Sequence, residues 1–184
     1  MLTISQNDLK ITSKYIVWGS VGVLLPMILV YLFNGNILKF QFLFFLVQLS
    51  VLGYFSFRVI YEVRMSYENK TISFLYAWLY VFLLLVITLF VFLLVKLIVL
   101  FLIDPSYLHR CVEQIKLEIE TLAEKNPILE KFDLKKFDEL KEFKSYVHFF
   151  WYYPLKSLVL SALIALVARK KIMFNGYFCS YSFA

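Results

Sequence analysis

Residues 73–103 read SFLYAWLYVFLLLVITLFVFLLVKLIVLFLI and contain a single charge, Lys96. The hydrocarbon core of a bilayer is about 30 Å thick and needs about 20 apolar helical residues to cross it. At about 1.5 Å per residue this segment reaches about 46 Å as a helix, so it spans a bilayer with turns to spare. A surface helix of a soluble protein needs a polar face, and this segment has none. It therefore predicts a membrane-spanning protein.

Three further apolar segments are each long enough to cross a bilayer. They are predicted as spans over 15–33, about 37–57 and about 149–168. Asn34-Gly35-Asn36 separates the first two and predicts a tight turn, because Gly and Asn adopt positive φ at low cost. Together the four segments predict an all-α, polytopic membrane protein built as a four-helix bundle.

The segment 104–147 differs from the spans because charged residues alternate with apolar ones at three- and four-residue steps. That spacing predicts amphipathic helices. Asp104-Pro105 and Asp133 predict two helix starts, since Asp caps helices and Pro is favoured at the first helical position. We expect a two-helix amphipathic insert that lies on the membrane surface or covers the end of the bundle.

Composition agrees with one membrane domain over residues 1–184, because 61% of the residues are hydrophobic and little polar sequence is left for a soluble domain. The net charge is +6, yet the insert carries eight basic and ten acidic residues, so the excess cations flank the apolar segments. That distribution is typical of membrane anchoring and argues against nucleic acid binding. Two cysteines predict no disulfide framework. The aromatic tail 172–184 has no predicted element.

The distribution of basic residues also predicts orientation. With four spans the two termini share one side of the membrane, and we expect that side to be the cytoplasm with the insert outside. The basic residues that would then abut the cytoplasmic helix ends are Lys10, Lys14, Arg58, Arg64, Lys70, Arg169, Lys170 and Lys171.

Three lysines, Lys39, Lys96 and Lys156, lie near or inside the spans and fall toward the outer leaflet in this orientation. Intramembrane charges are costly and often functional. Two interpretations stay open: a shared anion site, or separate lysines whose stems reach up to lipid headgroups.

Small and amide side chains inside the spans predict helix packing. Ser157, Ser161 and Ala165 are four residues apart and would form a ridge that permits close helix approach. Gln41 and Gln48 share one face of the second span, where interhelical hydrogen bonds are favoured over a polar pathway. The predicted spans contain no Asp or Glu, which argues against a transport route.

Residues with catalytic or metal-binding chemistry are few. His109 and Cys111 have no second His/Cys pair at ligand spacing, so we predict no metal or cofactor site and a packing role for Cys111. His148 and Asp104 add the remaining chemistry of a membrane enzyme, and they form no motif. We predict no catalytic residue.

The layout resembles the inner-membrane family called domain of unknown function 4199, which is found mainly in Bacteroidetes-type bacteria. The similarity is carried by YEVRMSYENKTIS at 61–73, by the charged insert, and by YPLKSLVLSALIALVARKK at 153–171. The resemblance implies four helices and location in the bacterial inner (cytoplasmic) membrane, and it implies no activity.

The sequence therefore favours a non-enzymatic accessory, scaffold or assembly protein that contacts the lipid bilayer and binds another membrane protein or itself. The alternative is a small transporter or channel component.

Overall fold

The computed structural model of the chain describes residues 5–67, 72–123 and 134–169. Five α-helices occur in these ranges: α1 (Gln6–Leu32), α2 (Gln41–Ser66), α3 (Phe74–Leu97), α4 (Pro105–Ala123) and α5 (Lys144–Arg169). A π-helical segment (Ile98–Ile103) continues α3, and a 3₁₀ helix (Leu134–Lys141) precedes α5. The described residues contain no strand.

Four of these helices are long and apolar enough to cross a membrane: Gln6–Leu32, Gln41–Ser66, Phe74–Ile103 and Lys144–Ala168. Many of their large apolar side chains are exposed at the outer surface of the bundle, for example Phe42 at 72% and Leu155 at 66%. A bilayer would solvate such a surface, whereas water would not. The predicted all-α architecture with four candidate membrane spans is confirmed.

The third span is the centre of the bundle and packs against α1, α2 and α5. Its inward side chains have no solvent exposure at Ala77, Tyr80, Val81, Leu84, Leu85 and Thr88. Helix α5 runs antiparallel to it. The Phe101 ring meets Tyr146 near the start of α5, and the Trp78 Nε1 donates to the Leu158 carbonyl further along.

The bundle has two distinct ends. At the termini end, α1 begins, α2 ends and α3 begins. At the cap end, α4 covers the α1–α2 connection and the close of the third span.

The α1–α2 connection is longer than predicted, because α2 begins at Gln41 and not at residue 37. The Asn36 side-chain oxygen accepts hydrogen bonds from the amides of Leu38 and Lys39, at 3.0 and 3.4 Å, and this local turn delays the helix. Asn34 adopts φ +53°. A side chain at Gly35 would approach Val30 to 2.9 Å, so that turn requires glycine.

Two further boundaries differ from the predicted spans. Helix α1 begins at Gln6 and not at residue 15, because the Ser5 hydroxyl caps it by accepting from the Asn7 and Asp8 amides. Helix α2 continues to Ser66, so Arg58, Glu62 and Arg64 belong to a helix. Both extensions carry charged residues beyond the apolar part of each span.

The second half of the insert also differs from the prediction. Its first helix, α4, begins at Pro105 as predicted, and the Asp104 carboxylate accepts from the Tyr107 amide at 3.0 Å. In place of a second amphipathic α-helix there is the short 3₁₀ helix, after which α5 begins at Lys144. Asp133 and the aromatic tail lie outside the described residues.

Candidate functional site

The most deeply buried acidic side chain of the described chain is Asp8, at 1% exposure in the first turn of α1. The hydroxyls of Tyr67 and Tyr80 donate to its Oδ2 at 2.8 and 2.9 Å, and the Ser66 hydroxyl approaches its Oδ1 at 3.3 Å. These donors come from the end of α2 and the start of α3. The carboxylate therefore connects three helices at the termini end.

Local sequence explains how each side chain reaches this point. Ser5 caps the start of α1 and places Asp8 in the first turn of the helix, where negative charge is favoured. Tyr67 is the first residue after α2, and Tyr80 lies two turns into α3 with no exposure. Burial and the hydrogen bond to Asp8 raise the pKa of Tyr67, so its hydroxyl keeps the proton that it donates.

This arrangement is suited to holding one carboxylate away from water. Ionisable groups inside membrane proteins are paired with donors or with each other and often have a functional role. Among the described residues, no second carboxylate contacts Asp8. Its chemistry is that of a hydrogen-bonded acceptor at a helix junction.

A second polar group lies one to two turns deeper along α1 and α2. The Tyr15 hydroxyl donates to the Glu62 carboxylate. Lys14 Nζ and Arg58 Nη2 approach the same carboxylate at 3.6 and 3.5 Å. Two cations therefore share one anion on the outer surface of the bundle.

The cap end is held by polar contacts between the α1–α2 connection and α4. The Asn36 amide donates to the Cys111 carbonyl at 2.7 Å, and the Tyr107 hydroxyl donates to the Gly35 carbonyl. Lys39 forms an ion pair with Glu118. Burial raises the pKa values of both the Tyr107 hydroxyl and the Cys111 thiol.

A compact ion network fixes the 3₁₀ helix to α4. Lys116 lies 2.7 Å from Asp138, and Lys141 lies 2.9 Å from Asp138 and 2.6 Å from Glu113. Hydrogen bonds from Lys116 and then Lys141 lower the pKa of Asp138 to about 2. The Asp138 carboxylate therefore stays ionised over the whole physiological pH range, so that pH does not break its pairs with Lys116 and Lys141 there.

The three lysines singled out in the sequence have separate surroundings. Lys39 pairs with Glu118 on α4, and Lys96 lies 5.3 Å from the Tyr146 ring centre. Lys156 lies 4.2 Å from the ring centre of Tyr152. No described contact links any two of these lysines, and a shared anion site stays a prediction.

The small residues of α5 are fully or almost fully buried: Ser157 at 1% and both Ser161 and Ala165 at 0%. Gln41 is exposed, Gln48 is half-buried, and neither amide has a hydrogen-bond partner among the described residues. Packing through these five side chains stays a prediction.

The residues considered for chemistry have structural surroundings. Asp104 caps α4 and pairs with Arg110 at 2.7 Å. Hydrogen bonds from Ser106 and then Arg110 lower the pKa of its carboxyl. His109 and His148 are exposed. Within the described ranges, no three His, Cys, Asp or Glu side chains come together as metal ligands would.

Asp8 and Glu62 were not predicted as site residues, because both lie outside the predicted spans. The helices are longer than those spans, so the prediction that the spans contain no Asp or Glu does not hold for the helices. One local signal was present. Ser5 stands three residues before Asp8, the spacing of a helix start, so α1 begins early enough to include the carboxylate.

These features define an all-α protein with four candidate membrane-spanning helices, a capped end and a buried carboxylate at the other end. Residues 15–170 match the family described as "Protein of unknown function (DUF4199)", so the chain belongs to that family and the resemblance is confirmed. Comparison with curated proteins and with solved structures gives no match.

Proposed function

We propose that this chain is a non-enzymatic integral membrane protein that acts as an accessory, scaffold or assembly component, binding another membrane protein or a second copy of itself. One observation carries the proposal. Helix α4 is fixed to the cap end, yet it presents Leu117 and Leu122 at 62% and 53% exposure.

The fixed position of α4 follows from its contacts on two sides. Tyr107, Leu108, Cys111 and Val112 are buried against the bundle, at 3% exposure or less. The ion network holds the opposite side to the 3₁₀ helix. A helix held in this way loses little conformational entropy when a partner binds, so more of the contact energy contributes to affinity.

The exposed side of α4 has the composition of a small interface. Glu118 and Thr121 lie beside the two leucines and line the same shallow groove. Apolar anchors among polar neighbours are typical of the centre of a binding surface, where they are excluded from water on association.

Location in a bacterial inner membrane, with both termini in the cytoplasm and α4 outside, is part of the same proposal. The family resemblance supports the inner-membrane location, and the basic residues at the termini end support the cytoplasmic position of the termini. In this orientation α4 meets partners at the outer face of the membrane.

Photocrosslinking tests the proposal directly. Leu117→p-benzoylphenylalanine in the full chain is expected to give a discrete protein adduct in intact cells. An adduct of twice the chain's mass indicates a second copy, and another mass gives the size of a different partner. The same substitution at Leu155, an exposed position on α5, controls for contact with lipid. Adducts with lipid alone at both positions would contradict the proposal.

A paired substitution supplies the energetic test. Leu117→Ser with Leu122→Ser should abolish the crosslinked complex and leave the thermal stability of the isolated protein unchanged, because both side chains are exposed. Glu120→Gln, on an exposed part of the same helix, is the matched control. Retention of the complex in the leucine variant would show that α4 does not bind the partner.

A small transporter or channel component is the second candidate, and the buried Asp8 cluster favours it. If Asp8 binds a transported cation, that cation should raise the melting temperature of the wild type in detergent and have no effect on Asp8→Asn. An equal response of the two proteins to a panel of monovalent and divalent cations would remove this candidate.

A further inference from the structure

The outer surfaces of α1 and α2 form an apolar groove in the half of the bundle nearest the termini end. Its walls are Trp18 and Val21 on α1 and Ser50, Val51 and Tyr54 on α2. The groove measures about 440 Å³. It is a feature of the lipid-facing surface, since Trp18 is 58% exposed and Tyr54 is 61% exposed.

The groove exists because the two helices approach closely beneath it. A side chain at Gly22 would come within 3.0 Å of Val51, so the glycine lets α1 and α2 touch and forms the floor. Trp18 and Tyr54 line the groove on opposite sides. An extended hydrocarbon chain fits between two such walls better than a bulky helix does.

Two cations stand at the mouth of this groove. Lys14 lies four residues before Trp18 on α1, and Arg58 lies four residues after Tyr54 on α2, so each is one helical turn beyond the wall residue of its own helix. Both approach Glu62, which places them side by side.

The charges at the mouth are only partly neutralised. One carboxylate, Glu62, faces two cations and also accepts from the Tyr15 hydroxyl. The side chains of Lys14 and Arg58 stay 56% and 46% exposed. The pair therefore keeps net positive charge and free donors directed away from the bundle.

The depth of this pair matches that of lipid phosphates. Lys14 immediately precedes the charge-free residues 15–33 of α1, and Arg58 immediately follows the charge-free residues 40–57 of α2. A charge at the boundary of such a run lies at the headgroup level of the bilayer. Trp18 and Tyr54 lie just below it, the usual depth of aromatic side chains.

We propose that this groove binds one anionic phospholipid of the surrounding bilayer, with its phosphate against Lys14 and Arg58 and an acyl chain between Trp18 and Tyr54. Basic pockets between transmembrane helices bind anionic headgroups in this way. The site is independent of the partner surface on α4, which lies at the cap end.

Fluorescence quenching of Trp18 tests the site. Trp78→Phe with Trp151→Phe leaves Trp18 as the single tryptophan, and the full chain is placed in phosphatidylcholine nanodiscs. Two samples are compared. A fixed minor fraction of the lipid is brominated phosphatidylglycerol in one and brominated phosphatidylcholine in the other. Quenching should be stronger with brominated phosphatidylglycerol. Equal quenching by the two lipids would overturn the proposal.

Three variants test which residues produce the preference for phosphatidylglycerol. Lys14→Gln with Arg58→Gln should reduce the relative affinity for phosphatidylglycerol by about fivefold for each cation removed. Lys39→Gln, at the cap end, should leave it unchanged. Ser50→Phe fills the groove from an exposed position and should lower quenching while both cations remain. A preference that survives either the double substitution or Ser50→Phe contradicts the site.

Native mass spectrometry of the unmodified wild type gives a second measurement that needs no tryptophan substitution. One phosphatidylglycerol should remain bound after detergent extraction from mixed lipid, and the Lys14→Gln, Arg58→Gln protein should lose it. If a protein occupies the groove instead, the wild type retains that protein and no phosphatidylglycerol, and the lipid proposal fails.

Discussion

At the scale of single residues, the environment of Asp8 shows what a buried carboxylate requires in a membrane bundle. Its two oxygens receive hydroxyls from Ser66, Tyr67 and Tyr80. Without the carboxylate, the Tyr80 hydroxyl would lose this acceptor inside the bundle, since Tyr80 has no exposure. An unsatisfied buried donor costs about 1–3 kcal/mol.

Asp8→Ala should therefore lower the free energy of unfolding by about 1–3 kcal/mol, because the buried Tyr80 hydroxyl and the half-buried Tyr67 hydroxyl lose their acceptor. Asp8→Asn should have a smaller effect, since the amide oxygen can replace Oδ2, to which both tyrosines donate, and the NH₂ group then faces the Ser66 hydroxyl. Thermal melting in detergent measures both. Lys10→Ala, an exposed position in the same part of α1, is the control, and an equal loss there would contradict the role of Asp8.

Neither partner of Asp8 could be found from the sequence around it. Tyr67 and Tyr80 lie 59 and 72 residues away along the chain, and hydroxyl donors have no characteristic spacing. The early start of α1 was accessible from Ser5, but burial of the carboxylate depends on how α2 and α3 close over it. That is tertiary information, which a hydropathy pattern does not carry.

At the scale of elements, α5 buries a row of small residues and exposes many of its large apolar ones. Ser161 and Ala165 have no exposure, whereas Leu163 on the opposite side is 55% exposed. In hydrocarbon, large apolar side chains gain nothing from burial, so helices associate through small residues that allow close backbone approach.

Ser161→Leu should consequently destabilise the bundle by about 1–3 kcal/mol, the usual cost of inserting methylene groups into a packed core. Ala162→Leu adds a comparable volume one residue away, at a half-buried position, and should cost less. Thermal melting in detergent compares them. If Ala162→Leu is the more damaging change, the face of α5 that packs has been assigned wrongly.

The ion network of the insert makes the attachment of the 3₁₀ helix dependent on pH. The pKa of Asp138 is about 2 in the folded chain against an ordinary value of 3.8, so its contribution is complete above about pH 4 and is lost toward pH 2. The hydrogen bond from Lys141 lowers the pKa of Glu113 as well and acts in the same direction.

Spin labels can measure this loosening. With both native cysteines replaced by serine, labels at Glu120→Cys and Glu142→Cys report the distance between α4 and the segment before α5. The distribution should be narrow at pH 7 and broaden between about pH 4 and pH 2. Asp138→Asn should be broad already at pH 7. An unchanged distribution at pH 2.5 would show that apolar contacts alone hold the insert.

At the scale of the whole molecule, the apolar length of each span was sufficient to predict the bundle, because a run such as 73–103 has no stable position outside a bilayer. The exact helix ends were not predictable. The start of α2 depends on one amide, Asn36. The second part of the insert adopts a 3₁₀ helix, and single bonds from the Glu142 amide to the Glu139 carbonyl and from the Ser145 amide to the Glu142 carbonyl connect it to α5. Such ends are set by individual hydrogen bonds and not by the average character of a segment.

Orientation is the remaining property of the whole molecule, and it decides which leaflet supplies lipid to the groove between Trp18 and Tyr54. The native thiols are poor reporters, because Cys111 is 3% exposed and burial raises its pKa, while Cys179 lies outside the described residues. Lys10 and His109 are exposed, and three candidate spans separate them. An odd number of crossings requires that they face opposite sides.

Two single-cysteine proteins are therefore suited to measuring the orientation, one with Lys10→Cys and one with His109→Cys. Both also carry Cys111→Ser and Cys179→Ser. In sealed right-side-out vesicles an impermeant maleimide should modify His109→Cys at once and Lys10→Cys only after lysis, since basic residues at the termini end favour the cytoplasmic side. The reverse pattern would invert the orientation and move the lipid site to the outer leaflet. Modification of both before lysis would mean that fewer helices cross than the bundle requires, because an even number of crossings would then separate the two residues.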